Sequence, residues 1–437
     1  MTEVKTVEPA RHGLVGMVAV PGDKSISHRS VMFSGLGCTP VHIKNFLHAA
    51  DCLSTVGVMC ALGVHIEFIS KQELLVTGNG LHGLREPETV LDAGNSGTTL
   101  RLMMGLLAAQ SFFSAFTGDA SLSRRPMGRV LRPLIRMGGR IYGRNQNGNL
   151  PLAIVPVEQR LSGIDYESPV ASAQVKSAIL LAGLYADAPT TVGEPYISRD
   201  HTEQMLLGFG VHIERSGRSV RIFPAAQDEF RAPKEITIPG DISSAAYFLV
   251  GASIVPGSRL LLKDVGVNPT RTGILDVLTD MGAHIERRNQ RMSGGELIAD
   301  LEVTAADLHG VRFGADIMPR LIDEIPILAV AALCAEGDTV ISGAGELRVK
   351  ETDRLHAIAV ELGKFSPGSI EEHEDGLVIH GGRALRAAQA NSCGDHRMAM
   401  SLAILGAAAH GAAIASPDSV VISYPDFFAE LYRLCIS

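Results

Sequence analysis

The sequence predicts an α/β protein built from repeated units in two halves, and three observations lead to this prediction. A helix, a glycine and a strand-like tail recur along the chain. Six further helices, apolar on nearly every side, each begin at a short stretch of small polar residues. With 437 residues and 46% hydrophobic content, the chain can bury more than one core.

The recurring phrase is seen in Ala61–Glu67 and in similar segments around Gly138, Gly210 and Gly282, at a spacing of about 75 residues. Gly363 marks a weaker fifth copy. An apolar pattern of helical period precedes the glycine, and a segment of alternating polarity follows it. We therefore predict a helix that ends at the glycine, followed by a strand.

The other half of each unit is a polar opening that continues into an apolar helix. The six openings begin at Lys24, Asn95, Ala171, Asp241, Asp323 and Asp395. A helix that is apolar all round is a buried helix, so we expect these six inside and the sheets outside. Their N-termini carry unpaired N–H groups and a partial positive charge, and three per half on one face would form an anion-binding surface.

Composition excludes several function classes. The net charge of −8 disfavours a nucleic-acid or membrane-surface binder. Neither a secretory signal nor an apolar stretch long enough to span a membrane is apparent. Six cysteines are scattered without a CxxC pair, which is typical of reduced thiols in a cytoplasmic protein. We interpret the acidic run 371–375 as a solvated turn before a strand at 376–379, rather than as a metal site.

Cations are concentrated at the predicted helix entrances and in the loops beside them. Alone, each would more often be an ordinary surface charge, but together they favour a site for a small polyanion. They are Lys24, Arg29, Arg101, Arg124, Arg125, Lys176, Arg199, Arg348, Lys350, Arg354 and Arg397. The fourth opening, at Asp241, has no cation although its Pro-Gly-Asp start repeats that of residues 21–23.

Three carboxylates near these cations, Asp323, Glu351 and Asp353, are candidates for proton transfer. Each alone is more often a helix cap or an ion-pair partner. Residues 78–83 fit the pattern GxGxxG, but no helix pattern follows them. We therefore exclude a dinucleotide site there.

Five segments resemble the 5-enolpyruvylshikimate-3-phosphate synthase family in order and spacing: PGDKSISHR at 21–29, GNSGTTLRL at 94–102, RRPMGRVLRPL at 124–134, RVKETDRL at 348–355 and DHRMAM at 395–400. The resemblance implies transfer of the enolpyruvyl group of phosphoenolpyruvate to the 5-hydroxyl of shikimate 3-phosphate, through a tetrahedral intermediate and with release of phosphate. This step belongs to aromatic amino acid biosynthesis, precedes chorismate formation and is the target of the herbicide glyphosate. It uses no metal or organic cofactor.

The resemblance also implies the architecture. The family fold has two similar domains, each of three βαβαββ-type repeats with buried helices and outer sheets, an inside-out α/β barrel. Here the first domain would span 21–239, and residues 1–20 with 240–437 would form a discontinuous second domain. The active site would lie in the cleft between them. We expect a cytoplasmic monomer whose partners are its small-molecule substrates, with no nucleic acid or membrane.

Site residues follow from the resemblance by motif position. The expected catalytic residues are Asp323, which takes the proton of the 5-hydroxyl, together with Glu351 and Lys24. Expected contacts of shikimate 3-phosphate are Lys24, Ser25, Arg29, Ser172, Ala173, Gln174, Arg199, Asp323 and Lys350. Expected contacts of phosphoenolpyruvate are Lys24, Asn95, Gly97, Arg125, Gln174, Arg354 and Arg397.

Three positions depart from the best-known branch of the family. Ile422 stands where that branch has a lysine, Glu346 where it has an asparagine, and Ala173 where it has a serine. These differences indicate the more divergent branch, whose members vary in tolerance to glyphosate.

Two alternatives remain open. A UDP-N-acetylglucosamine enolpyruvyl transferase would share the fold, but its loop cysteine has no counterpart in residues 119–126. A non-catalytic anion-binding repeat protein would not need acids and bases placed asymmetrically among the repeats.

Overall fold

The computed structural model describes residues 3–293 and 295–436. The chain forms two compact units. The continuous unit comprises Gly22–Ile238, and the discontinuous unit comprises the residues up to Pro21 together with Pro239–Met292 and Glu296 onward. The chain begins with two strands of the discontinuous unit, β1 (Val4–Val7) and β2 (Val15–Val18).

Helices of the continuous unit alternate with its strands. Its helices are α1 (Lys24–Ser34), α2 (Ala50–Ala61), α3 (Gly97–Leu107), α4 (Gly128–Arg136), the single turn α5 (Arg144–Asn147), α6 (Ala173–Gly183) and α7 (His201–Gly208), with a 3₁₀ turn at Leu122–Arg124. Its strands are β3 (Val41–Lys44), β4 (His65–Ser70), β5 (Glu73–Thr77), β6 (Leu91–Asp92), β7 (Ser114–Thr117), β8 (Arg140–Gly143), β9 (Asn149–Val155), β10 (Asp165–Glu167), β11 (Thr190–Gly193), β12 (Ile213–Ser216), β13 (Ser219–Ile222) and β14 (Glu235–Thr237).

The discontinuous unit repeats this alternation. Its helices are α8 (Ile242–Ile254), α9 (Gly273–Asp280), α10 (Ile325–Cys334), α11 (Arg354–Glu361), α12 (His396–Ala408) and α13 (Phe427–Ile436), with 3₁₀ turns at Met318–Arg320, Ile322–Glu324, Gly345–Val349, Leu362–Lys364 and Pro417–Ile422. Its later strands are β15 (Arg259–Gly266), β16 (His284–Ser293), β17 (Glu296–Thr304), β18 (Arg312–Phe313), β19 (Asp338–Ile341), β20 (Ile370–His373), β21 (Gly376–His380), β22 (Ala388–Asn391) and β23 (Ala412–Ala415).

Within the described ranges the strands pair into six sheets, three in each unit. In the continuous unit the orders are β14-β3-β5-β4, β6-β7-β9-β8 and β10-β11-β13-β12. In the discontinuous unit they are β16-β17-β15-β2, β18-β19-β21-β20 and β1-β23-β22. One parallel pair occurs in every sheet, such as β14 with β3, where Glu235 pairs with His42, and β2 with β15. The sixfold repeat of the sequence therefore has a structural counterpart, one sheet per repeat.

The long apolar helices lie at the centre of each unit. In α1, α3 and α6 the side chains of Phe33, Leu100 and Leu180 are fully buried, and α8, α10 and α12 are buried in the same way. Helices α3 and α6 approach so closely that a Cβ on Gly105 would lie 2.2 Å from the Ala178 carbonyl oxygen. The predicted α/β fold with buried helices is therefore confirmed.

The repeat glycines end helices as predicted. Gly63, Gly138, Gly210 and Gly282 have φ values of +89°, +101°, +85° and +93°, which only glycine adopts readily, and each precedes a strand. Gly363 differs, because it lies inside the 3₁₀ turn Leu362–Lys364 and has no positive φ.

The solvated turn predicted over 371–375 is partly wrong. Residues 371–373 belong to β20, and only 374 and 375 form the turn to β21. Among the described helices, none has the length and apolar content needed to cross a membrane.

Candidate active site

Helix α1 places Lys24 and Ser25 at its first two positions. The Asp23 side chain caps the helix by accepting the Ile26 amide at 2.9 Å, so the entrance has a fixed shape. The Lys24 ammonium is partly exposed and lies 3.2 Å from the Asp51 carboxylate. Lys24 and Ser25, both predicted to bind substrate, thus lie at the N-terminus of the helix, where the helix dipole is positive.

Arg29, one turn further along, is 4% exposed. Its Nε donates to the Thr202 hydroxyl at 2.7 Å, its Nη2 to the Ser177 hydroxyl at 2.9 Å and its Nη1 to the Ser25 carbonyl oxygen at 2.9 Å. Arg29 therefore joins the start of α1 to α6 and α7. Its guanidinium is held in position by neighbours before any ligand is bound.

The start of α3 brings together Asn95, Gly97 and Arg125. The Ser96 side chain caps the helix, and Asn95 Oδ1 accepts a hydrogen bond from Arg125 Nη2 at 2.7 Å. A Cβ on Gly97 would lie 2.9 Å from Arg101 Nη1 and 3.5 Å from Arg125 Nη1. Two guanidinium groups therefore border the helix N-terminus, where an anion is favoured.

At the start of α6, Gln174 is oriented from both sides. Its Oε1 accepts from Arg101 Nη1 at 2.5 Å, and its Nε2 donates to the Thr98 hydroxyl at 3.0 Å. Arg101 was identified in the sequence only as a cation near a helix entrance. In the structure, Arg101 holds Gln174 against α3. This contact depends on the packing of α3 on α6 and has no signal in the local sequence.

Lys176 is not available to an anion, contrary to its place among the candidate cations. It is 2% exposed, and its ammonium contacts Glu194 at 3.0 Å and Glu203 at 2.9 Å. Burial lowers the pKa of Lys176, but the charges of Glu203 and Glu194 more than offset this effect and raise it. Arg199, by contrast, lies partly exposed in the loop before α7.

A buried chain of hydroxyl groups links α1 to α3. His28 Nδ1 lies 2.6 Å from the Thr55 hydroxyl, which lies 2.7 Å from the Thr99 hydroxyl, and Thr99 donates to Ser96 at 2.7 Å. Burial, and then the charges of Lys24 and Arg29, hold the pKa of His28 well below its usual range. The imidazole is therefore neutral near pH 7, and sequence reasoning had not singled it out.

In the discontinuous unit, three carboxylates surround Arg354 at the start of α11. Its Nε donates to Asp395 Oδ2 at 2.7 Å, its Nη2 to Glu351 Oε2 at 2.5 Å and its Nη1 to Asp323 Oδ1 at 3.5 Å. Arg354 is 1% exposed. Burial disfavours its charge, but Asp395 and Glu351 outweigh that effect and raise its pKa.

Arg397, in the first turn of α12, extends this cluster. Its Nη2 lies 3.8 Å from Asp323 Oδ2 and its Nη1 lies 3.8 Å from Glu324 Oε1. Burial lowers the pKa of Arg397, and the Asp323 charge more than compensates. Asp395 caps the same helix by accepting the Arg397 amide at 2.8 Å. The structure thus brings together Asp323, Glu351, Arg354 and Arg397.

The fourth helix opening, which lacks a cation in the sequence, also reaches this cluster. Ser243 at the start of α8 donates to Glu324, and Arg271 Nη2 contacts both Ser243, at 2.8 Å, and Asp241, at 3.1 Å. Arg271 comes from the loop before α9, so no local pattern could have placed it here.

Two further candidates have ordinary surroundings. Asp353 caps α11, accepting the His356 amide at 3.1 Å, and pairs with Arg348 at 2.9 Å. These contacts are those of a helix cap and an ion-pair partner, the alternative stated above for each of the three carboxylates. Lys350, partly exposed, lies 3.5 Å from Glu346, one of the positions that departs from the better-known branch.

Each unit therefore carries its own set of anion-binding groups at helix starts, and the discontinuous unit adds carboxylates in contact with arginines. Such a set can bind polyanions and move protons. The described residues contain no group of three or more His, Cys, Asp or Glu side chains suited to a metal ion.

Comparison with known proteins agrees with this chemistry. Residues 9–431 match the family model described as EPSP synthase (3-phosphoshikimate 1-carboxyvinyltransferase). A 3-phosphoshikimate 1-carboxyvinyltransferase from Desulforudis audaxviator is 53% identical over 429 residues, covering 98% of both chains. One from Bacillus cereus is 49% identical over 431 residues, covering 98% of this chain and 99% of the other.

Solved structures give the same picture. EPSP synthase from Acinetobacter baumannii superposes with a TM-score of 0.88 at 41% identity, covering 99% of this chain and 98% of the other. The enolpyruvyl transferase NikO from Streptomyces tendae has a TM-score of 0.78 at 18% identity over 99% of this chain and 98% of the other. The latter likeness shows the fold alone.

Proposed function

Because the chain belongs to the EPSP synthase family, the 3-phosphoshikimate 1-carboxyvinyltransferases, we propose how its residues divide the work of that reaction. The enzyme transfers the enolpyruvyl group of phosphoenolpyruvate to the 5-hydroxyl of shikimate 3-phosphate and releases phosphate, a step of the shikimate pathway to aromatic amino acids. The UDP-N-acetylglucosamine alternative and the non-catalytic alternative are not favoured.

Shikimate 3-phosphate, in our proposal, is bound in the continuous unit by Lys24 and Ser25 at the start of α1, by Arg29, by Ser172, Ala173 and Gln174 at the start of α6, and by Arg199. Asp323 and Lys350 contact it from the discontinuous unit. The fixed positions of Arg29 and Gln174 support this assignment, since a preorganised site loses less entropy when the ligand binds.

Phosphoenolpyruvate is held by arginines in both units. Arg125, with Asn95 and Gly97, forms one group, and Arg354 and Arg397 form the other; Lys24 and Gln174 contact both substrates. Guanidinium groups suit this task because they bind carboxylate and phosphate through paired hydrogen bonds and remain charged when buried. The carboxylates around Arg354 and Arg397 fix their orientation before the substrate arrives.

Proton transfer falls to Asp323, Glu351 and Lys24. In the addition step the 5-hydroxyl oxygen bonds to C2 of phosphoenolpyruvate, Asp323 accepts the hydroxyl proton, and Glu351 or Lys24 delivers a proton to C3. The C2–O bond to phosphate then breaks in the tetrahedral intermediate, and the group that delivered the proton to C3 takes a proton back from the C3 methyl group, which restores the double bond. Nearby cations stabilise the charge on the departing phosphate.

One observation carries this proposal most directly. Asp323 and Glu351, the two proposed proton carriers, contact the same buried Arg354, at 3.5 and 2.5 Å. Because both carboxylates contact the same arginine, they lie close enough together for one to act as general base and the other as general acid on the same pair of bound substrates.

The test is phosphate release measured with purified enzyme and phosphoenolpyruvate in three parallel assays: with shikimate 3-phosphate, with UDP-N-acetylglucosamine, and without an acceptor. We expect release only with shikimate 3-phosphate. Release with the nucleotide sugar instead would refute the assignment. No release with any acceptor would favour a binding protein without catalysis.

We also propose that the two units, bounded near residues 21 and 239, are the two domains of the catalytic fold. We further propose that the enzyme works as a monomer in the cytoplasm. Sedimentation of the purified protein at micromolar concentration tests the monomer.

A further inference from the structure

The buried ion cluster of Lys176, Glu194 and Glu203 lies behind the proposed shikimate 3-phosphate site and has no part in the reaction described above. The side chains of these residues are 3%, 3% and 1% exposed. Charged groups buried to this extent are costly unless each is paired. We therefore ask which neighbouring groups these three side chains keep in place.

Glu194 connects two chain segments that are separate in sequence. Its Oε1 accepts the Ser172 amide at 3.1 Å, immediately before α6. Both of its oxygens accept the Ser198 hydroxyl, at 2.7 and 2.8 Å, and Oε2 also accepts the Ser198 amide at 3.3 Å. One carboxylate thus fixes Ser172 and the residue preceding Arg199 at the same point.

Lys176 completes the connection. Besides its two carboxylate partners, its ammonium donates to the Ser198 carbonyl oxygen at 3.2 Å. Both backbone groups of Ser198, the amide and the carbonyl, are therefore held by the cluster. Because Ser198 is next to Arg199, the cluster determines where the Arg199 backbone lies relative to Ser172, Ala173 and Gln174.

We propose that Glu194, supported by Lys176, is a positioning residue that sets the spacing of Ser172–Gln174 and Arg199, and through it the affinity for the phosphate of shikimate 3-phosphate. This inference rests on the proposed binding roles of those residues. It also explains why a lysine at a helix entrance is buried among carboxylates. That lysine acts on the anion site through Ser198, without touching the anion.

The test compares Glu194→Gln with a matched control, Glu361→Gln. Glutamine keeps the size of the side chain but removes the charge that holds Ser172 and Ser198. Glu361 is likewise a buried carboxylate that accepts a backbone amide, from Asn391 at 2.6 Å, and pairs with a lysine, Lys364 at 2.6 Å. It lies in the discontinuous unit at the far end of α11 from Arg354.

We expect Glu194→Gln to raise the Kd of shikimate 3-phosphate, measured calorimetrically without phosphoenolpyruvate, by about tenfold, the scale of one hydrogen bond to a charged acceptor. The KM for phosphoenolpyruvate should rise less than this Kd, because Gln174 is the one proposed phosphoenolpyruvate contact in the positioned segment, and kcat should stay within about twofold of wild type. Glu361→Gln should leave all three unchanged. Ser198→Ala, which removes one donor and no charge, should raise the same Kd about threefold.

An unchanged Kd for shikimate 3-phosphate in folded Glu194→Gln would overturn the inference, as would an equal change in the control. If Glu194→Gln does not fold, the Ser198→Ala variant tests the inference instead. An unchanged Kd of shikimate 3-phosphate in Ser198→Ala would then overturn the inference. Failure of the proposed function is separate, because then the wild-type enzyme itself would show no phosphate release with shikimate 3-phosphate.

Discussion

Replacing Asp323 by asparagine removes the proposed general base while keeping the size of the side chain. Asp323 contacts Arg354 at 3.5 Å and Arg397 at 3.8 Å, both long for hydrogen bonds. Arg354 keeps its closer partners, Asp395 at 2.7 Å and Glu351 at 2.5 Å. The arginine should therefore stay in place, and substrate binding should survive the change.

The loss should then fall on turnover. A positioned general base contributes about 10²- to 10⁴-fold in rate. This corresponds to about 3 to 5 kcal/mol in the activation free energy. We expect kcat of Asp323→Asn to fall by this factor, with each KM within about fivefold of wild type.

Steady-state phosphate release, with each substrate varied in turn, measures both quantities. Asp316→Asn is the control, because Asp316 is an exposed aspartate in the segment that precedes Asp323. A kcat for Asp323→Asn within tenfold of wild type would refute its role as base. A large rise in KM with kcat unchanged would instead make Asp323 a binding residue.

Three further predictions concern Arg354, Gly97 and His28. Arg354→Lys replaces a planar group that contacts three carboxylates with a single ammonium, so kcat/KM for phosphoenolpyruvate should fall by about 100-fold or more, with circular dichroism as the check on folding. Gly97→Ala places a methyl group 2.9 Å from Arg101 Nη1, which should raise the KM for phosphoenolpyruvate more than the Kd of shikimate 3-phosphate; equal effects on both would contradict the assignment. His28 stays neutral when folded but binds a proton when unfolded below about pH 6.5, so its contribution to stability is present above that pH and is lost as pH falls. The free energy of unfolding of wild type should therefore drop by up to about 1.4 kcal/mol per pH unit below pH 6 relative to His28→Gln, and parallel pH profiles would show that His28 is protonated in the folded state.

Much of the fold could be predicted from local sequence patterns. Four of the five repeat glycines have a positive φ after a helix, and the apolar helices could only be buried; both properties are visible in short segments. The parallel strand pairs could not be read in this way. Glu235 pairs with His42 because the two ends of the continuous unit meet, a contact with no local signal.

The residues of the candidate site likewise fall into those that local sequence identifies and those that only the structure identifies. Glu351, Arg354 and Arg397 lie in recognisable motifs and Asp323 begins a predicted helix opening, and the structure places all four in one cluster. The supporting residues Arg101, Glu194 and Arg271 act through partners distant in sequence, and only packing shows what they hold. For Lys176 the sequence prediction was wrong in the other direction. Its position at a helix entrance suggested a free cation, but the ammonium is buried and paired with two carboxylates.

The pairing of β1 with β23 and of β2 with β15 has a consequence for biosynthesis. All strands of the continuous unit lie between residues 22 and 238, so this unit can fold while the ribosome is still translating the rest. The strands β1 and β2 leave the ribosome before the continuous unit but must remain unpaired until their partners are made; Val4, for example, pairs with Ala415. Release of the nascent chain after residue 238 should therefore yield one folded unit preceded by an unpaired segment that chaperones or proteases can recognise.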